Sequence, residues 1–281
     1  MTSAKSVRVG SPRTRFLYGL QYLFLTVVSF ACVFPFFWMI VGATNKSMDI
    51  TLGKMTFGNQ FLVNLINLLN SGDLLLCIRN SAVLSLFITT LSMLVCSLAG
   101  YGFVIFHSKT KEFFFALILL SMMVPTSSIV IPMFKMFSKM GLLNSKMGVV
   151  LPAVSTAFLI FFFKQNTKSF PYETIQSARI DGLGEFGIFF KIYMPMMKST
   201  YAAAAIITFM SSWNNYMWPL ISLQTKDQRT LPLMISSLGT AYTPDYGMIM
   251  VGIIITTIPS ALMFFLMQKQ FVESMMGSVK G

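Results

Sequence analysis

From Leu17 to Val41 the sequence runs without a single charged side chain. A helix rises about 1.5 Å per residue, so a hydrocarbon layer about 30 Å thick takes about 20 apolar residues to cross. Further runs of this kind follow at Ser81–Phe106, Phe113–Met133, Gly148–Phe163, Tyr201–Leu223 and Tyr246–Met267. Charged residues make up only 11% of the 281, against about 25% in an average soluble domain. Too little charge is left to coat a water-facing surface. The sequence therefore predicts an all-α polytopic membrane protein with about six transmembrane helices. Residues 1–16 read as an N-terminal tail, 17–268 as one transmembrane domain with a long connection at 164–198, and 269–281 as a C-terminal tail. The first apolar run outlasts a signal-peptide core and meets no small-residue cleavage site, so it reads as a retained helix.

The formal net charge is +12. Its basic residues are spread between the apolar runs with no dense stripe, which argues against nucleic acid and for topology charges. With the N-terminus inside, Lys5, Arg8, Arg13, Arg15, Lys109, Lys111, Lys164, Lys168, Arg179, Lys191, Lys198, Lys269 and Lys280 share the inner side. The outer side then holds Lys46, Lys54, Arg79, Lys135, Lys139, Lys146, Lys226 and Arg229. This bias predicts both termini in the cytoplasm. Cys32, Cys77 and Cys96 have neither metal-ligand spacing nor a pairing pattern, so no disulfide is expected.

Prolines at 35, 125, 132, 152, 219 and 259 interrupt the apolar material. Each removes an amide donor, which means either ordinary kinks or broken helices around a transport path. Small residues recur at helical spacing: Ser92, Cys96 and Gly100, then Gly252, Thr256 and Ser260. Such ridges let helices approach closely in lipid.

Two segments are candidates for function. In the fifth run, Thr208, Ser211 and Asn215 fall on one helical face, beside Trp213, Asn214 and Trp218. Amides in hydrocarbon need partners. Ser211, Trp213, Asn214, Asn215 and Trp218 either line a polar path for a hydroxyl-rich solute, or glue helices together with Trp218 as an interfacial anchor. The connection 164–198 is the second. Pro171 opens a predicted short helix with Glu173 in its first turn, and Gly182 and Gly184 end it. Phe186, Phe189, Phe190 and Tyr193 then resume a helical pattern, weakened by Gly187. This element either lies on the membrane surface or projects to dock another protein.

The chain itself carries little chemistry. It has no phosphate loop, and His107 is its only histidine, so zinc and Ser-His catalysis find no support. The acids cluster in connections, which disfavours an ion-coupled carrier. Active transport would then draw its energy from a separate subunit.

The connection resembles the signature of the transmembrane subunits of binding-protein-dependent ABC importers. That signature is Glu-Ala-Ala, then Asp-Gly, then a hydrophobic residue and Pro. Here it stands as Gln176, Ser177, Ala178, Asp181, Gly182, Met194 and Pro195. It departs from the family at Gln176 and Ser177. The segments LAGYGFVIF, IPMFKMFSKMGLLNS, SSWNNYMWPL, RTLPL and QKQFVESMMGSVKG are similar to the carbohydrate-importing branch, and within it to the smaller permease of the maltose importer. The resemblance implies a type I ABC importer permease fold in the bacterial cytoplasmic (inner) membrane. It implies a homologous second permease subunit, two ATPase subunits that bind ATP and Mg, an extracytoplasmic solute-binding protein, and a mono- or oligosaccharide substrate. This chain is then non-catalytic and carries no cofactor. Tyr172, Glu173, Gln176, Ser177, Ala178, Asp181, Gly182 and Pro195 become the ATPase-coupling residues, Ala178 and Gly182 allowing close contact. The stretch Thr230–Tyr246 is expected near the binding-protein surface. The alternatives are a self-sufficient carrier or channel, and a membrane scaffold that moves nothing.

Overall fold

A computed structural model describes residues 12–277, with side chains over 16–268. Lys5, Arg8 and Lys280 lie outside the described residues, as do the side chains of Arg13, Arg15, Lys269 and the chain's last segment. Every regular element is helical: α1 (Pro12–Ala43), α2 (Ser47–Thr51), α3 (Phe61–Asn70), α4 (Leu74–Ile105), α5 (Lys109–Ser121), α6 (Thr126–Lys139), α7 (Lys146–Val154), α8 (Ala157–Thr167), α9 (Tyr172–Ile180), α10 (Glu185–Ile188), α11 (Met194–Met196), α12 (Lys198–Trp213), α13 (Met217–Ser222), α14 (Leu231–Leu238) and α15 (Tyr246–Gly277). A π-helical turn, Phe189–Tyr193, joins α10 to α11, and a 3-10 turn, Lys226–Gln228, precedes α14.

Four stretches are long and apolar enough to cross a membrane: Phe16–Ala43, Leu74–Ile105, Lys146–Thr167 and Tyr246–Gln268. The expected third span, Phe113–Met133, is instead two helices, α5 and α6, bent by 102°. Pro125 stands at the bend in extended conformation, as the residue before α6. The expected fifth span, Tyr201–Leu223, is also interrupted. α12 has 16 residues, about 24 Å, and stops at Trp213. Pro219 accompanies the stop. Its ring would meet the carbonyl of Asn215 in a continuous helix, whereas in the first turn of α13 its missing N–H is no loss. The described residues thus hold four or five long spans rather than a plain six. Pro35, Pro132 and Pro259 sit inside helices that continue past them.

The core is built on α4, which packs against α7, α8 and α12. The predicted ridge along it makes these contacts. Ser92 Oγ donates to the Ala153 carbonyl (2.9 Å) and Cys96 Sγ to that of Val154 (3.6 Å). Both carbonyls lie where α7 breaks at Ser155, so α4 satisfies groups that the break would leave bare. One turn on, Gly100 lies against the backbone of Phe163 and Lys164. The second ridge, on α15, takes α12 and α14. Gly252 meets Ile235, the Thr256 carbonyl accepts from Trp213 Nε1 (2.9 Å), and Ser260 Oγ accepts from Asn214 Nδ2 (3.4 Å).

Side chains fasten the chain ends of these helices. At the α4 start, Asn80 Nδ2 donates to the carbonyls of Asp227 (2.8 Å) and Arg229 (3.1 Å), and Ser81 Oγ accepts from Leu231 N (2.7 Å). Asn144, at positive φ, accepts from the amides of Gln224 and Thr225 (3.0 Å each). Asp245 precedes α15 and holds Ser47 Oγ (2.9 Å) and Met248 N (3.2 Å). All three thiols are free; Cys77 and Cys96 are buried, while Cys32 on α1 is exposed.

Lys164 departs from its reading as a charge in a solvated connection. It is buried within α8, and its Nζ donates to both oxygens of Glu112, at 2.8 and 2.9 Å. The ammonium also lies 3.6 Å from the Phe115 ring centroid. His107 Nε2 approaches the same carboxylate at 3.7 Å.

Candidate functional site

The connection folds as a short helix set on edge against the core. Pro171 precedes α9 in extended conformation, with Glu173 in the first turn, where the helix field favours an acid. Ile175 and Ala178, three residues apart, are buried among Tyr101, Ile105, Phe189 and Tyr193. The opposite face is bare: Tyr172, Glu173, Gln176, Ser177 and Asp181 are exposed, and Ile180 is 85% exposed. The structure therefore separates the expected coupling residues. Ala178 touches the chain's own core and seats the helix, while its neighbours face outward.

The end of α9 requires glycine. Gly182 has φ +83°, Gly182 N donates to Arg179 O (3.1 Å), and Leu183 N donates back to Ala178 O (3.0 Å). These paired bonds are the Schellman arrangement, and Leu183 packs into the Ala178 cluster as that motif favours. Asp181 is the residue just past α9, with its backbone N–H on Ser177 O, and its side chain is exposed.

Beyond Gly184 the chain re-enters helix. Phe189 and Tyr193 are buried, whereas Phe186 is 74% exposed, so the predicted aromatic stripe divides between two faces. The π turn answers Pro195, which cannot donate and would clash with the carbonyl four residues back. Instead Met194 N reaches Phe189 O, five residues back, and Pro195 is exposed beyond it. Tyr193 shares a 2.6 Å hydrogen bond with Thr167 Oγ1. Burial pushes its phenol up to about 12, with the Thr167 bond opposing the shift, so it stays neutral. Sequence reasoning missed Arg179 and Glu185. Arg179 Nε donates to Glu185 Oε1 at 2.7 Å, and Tyr101 Oη on α4 donates to Glu185 Oε2 at 3.4 Å. The spacing across a glycine pair was the available signal.

The polar residues of the fifth run part company at the break. Asn215 joins Thr208, Ser211 and Ser212 along a cavity of about 220 Å³ between α12, α4 and α8. Asn214 faces the other way, into a groove of about 640 Å³ with Tyr216, Ser236, Thr257 and Ser260. The two tryptophans line neither the cavity nor an interface with lipid. Trp213 and Trp218 are buried, and Trp218 Nε1 donates to the Gly148 carbonyl (2.8 Å). They brace the two halves of the broken run against α15 and α7. Among the described residues no cluster of His, Cys, Asp or Glu is fit to hold a metal ion.

The sequence model described as binding-protein-dependent transport system inner membrane component matches residues 92–276. The chain is 48% identical over 261 residues to the lactose transport system permease protein LacG of Rhizobium radiobacter, covering 93% of this chain and 96% of that one. It is 36% identical over 270 residues to the arabinooligosaccharides transport system permease protein AraQ of Bacillus subtilis (strain 168), covering 92% and 94%. Its fold matches, with a TM-score of 0.84 and 18% identity, a chain from a crystal structure of a bacterial ABC transporter involved in the import of the acidic polysaccharide alginate, over 94% of this chain and 100% of that one. Matches that run nearly end to end, over a fold whose seated surface helix carries the expected signature, make this chain a member of the binding-protein-dependent transport system inner membrane components, the permease subunits of ABC importers.

Proposed function

We propose that this permease passes a mono- or oligosaccharide across the bacterial inner membrane, and that α9 with Gly182 takes the push of a partner ATPase. One observation carries the reading: α9 has its inner face locked into the α4 cluster and its outer face bare, so a load on the outer face reaches a membrane helix. The relatives named for lactose and arabinooligosaccharides support the sugar class. The working complex has a homologous second permease, two ATPases holding ATP and Mg, and an extracytoplasmic binding protein near Thr230–Tyr246. This subunit is non-catalytic. Six crossings serve it, with α5–α6 as the third and α12–α13 as the fifth, and both termini lie inside as the Lys and Arg bias favours. In the complex assembled with its ATPase, cysteine at Ile180 is expected to crosslink to the ATPase. Gly182→Trp is expected to weaken that assembly or to let ATP be hydrolysed without uptake. No crosslink from position 180, together with normal uptake by Gly182→Trp, overturns the docking role.

The cavity beside Asn215 is the proposed solute path through this subunit, with Ser211 exposed beside it. The buried Ser212 hydroxyl has no hydrogen-bond partner among the described residues, and a group of that kind calls for a solute hydroxyl or water. Asn214, on the far side of the break, and the bracing Trp213 and Trp218 shape this path without lining it. Asn215→Leu is expected to lower uptake about tenfold at equal expression, the loss of one or two hydrogen bonds. Unchanged uptake removes the cavity from the path.

A further inference from the structure

We propose that the Arg179–Glu185 ion pair, joined by Tyr101, is a clamp that makes α9 and the end of α4 move as one body. The proposal rests on the docking role of α9 given above. Between α9 and α10 the chain turns through Gly182 and Gly184. A Cβ built at either glycine would meet nothing within 4 Å, so only Leu183 and the two backbone bonds of the Schellman arrangement hold the turn, and the glycines themselves pack on nothing. Two glycines two positions apart, each without side-chain packing of its own, form a joint that a load can bend. The ion pair spans that joint. Arg179, on the last turn of α9, holds one oxygen of Glu185 at 2.7 Å, and Tyr101 of α4 holds the other at 3.4 Å. Arg179 Nη1 also donates to Tyr172 Oη (3.4 Å) at the start of α9, and its guanidinium lies 5.8 Å from the Phe106 ring just past α4.

One carboxylate thus ties both limbs of the turn to a membrane helix. Apolar contacts from Ile175 and Ala178 also join α9 to α4, but they are non-directional and let surfaces slide. A short charge-assisted bond from Arg179, with a longer hydrogen bond from Tyr101 on the other oxygen, adds direction. The side chains of Arg179 and Glu185 are 33% and 41% exposed, a setting in which an ion pair adds little to stability. Its effect is on position: it keeps the glycine joint from absorbing the movement that α4 is meant to receive. Arg179, Glu185 and Tyr101 are therefore positioning residues for coupling.

The test uses the complex assembled with its ATPase, with Cys32→Ser removing the exposed thiol. Spin labels replace Ile180 and His107, both exposed, one at the end of α9 and one just past α4. With Glu185 intact, their separation is expected to stay constant between the nucleotide-free and ATP-bound states. In Glu185→Ala it is expected to change on ATP binding while ATP hydrolysis continues. The swap Arg179→Glu with Glu185→Arg is expected to restore the constant separation. Identical behaviour of Glu185→Ala and the unsubstituted clamp overturns the proposal. So does a swap that fails to restore assembly, should Glu185→Ala not assemble. If cysteine at 180 never reaches the ATPase, it is the docking role that falls. If it does and the separations still match, only the clamp falls.

Discussion

Gly100→Ala is expected to lower the Tm of the purified permease sharply, and Gly100→Leu to prevent folded protein from accumulating. A Cβ at position 100 would lie 2.6 Å from Phe163 Cβ, 2.8 Å from Lys164 N and 2.9 Å from Phe163 C. The last two are backbone atoms and cannot rotate away. Overpacking a core costs about 1–3 kcal/mol when side chains can adjust. Here the whole of α8 must retreat from α4, so alanine should reach the upper end, about 3 kcal/mol. Gly102, two residues on in the same helix, is the control. Nothing lies within 4 Å of a Cβ there, and alanine is favoured over glycine in a helix by about 1 kcal/mol. Gly102→Ala should leave Tm unchanged or raise it. Equal Tm shifts from the two substitutions would show that helix propensity, not the α4–α8 contact, governs this region.

The second large effect concerns Glu112 and Lys164, and it is asymmetric. Glu112→Gln leaves the buried Lys164 ammonium without its counter-charge. Breaking a buried pair from one side costs about 3–5 kcal/mol. Glu112 is itself 42% exposed, and water there screens part of the loss, so about 2–3 kcal/mol is expected. Lys164→Met removes the buried charge and leaves its carboxylate partner at the surface, where water can solvate it. Its cost should be smaller, at about 1 kcal/mol or less. Thermal unfolding of the two variants in the same detergent checks the order. A larger loss from Lys164→Met would mean that Lys164 is held chiefly by packing of its stem.

Much of this architecture was legible in the residues. Four of the six apolar runs coincide with long membrane helices, because hydrocarbon thickness leaves little choice of length. The glycine at 182 marked the end of α9, because its left-handed backbone suits few other residues. Both small-residue ridges proved to be helix contacts, since only small side chains let backbones meet. The interruptions were harder to read. Pro125, Pro152 and Pro219 accompany breaks, whereas Pro35, Pro132 and Pro259 do not, and the residues around each proline do not tell the two outcomes apart. At the end of α7 the bare carbonyls find partners in Ser92 and Cys96, 61 and 58 positions away in sequence.

The candidate site shows the same division. That a short helix stands between Pro171 and Gly182 follows from those two residues and the helical spacing between them. That Ala178 points inward depends on Tyr101 and Tyr193, which pattern alone does not bring together. Trp213 and Trp218 look like solute or interface aromatics by type, yet each indole N–H is committed to a backbone carbonyl of a distant helix. Lys164 looks like a topology charge, and only the fold places Glu112 beneath it.

The unequal exposure of the three thiols gives the molecule its own gauge of integrity. Cys77 and Cys96 are 3% and 0% exposed, while Cys32 is open on α1. Cys32 lies on a membrane helix and is covered by detergent rather than by protein, so a small membrane-permeant maleimide should modify one site per folded chain and three per denatured chain. Counting adducts by mass would then report, for any substituted permease, whether its helices still close over α4.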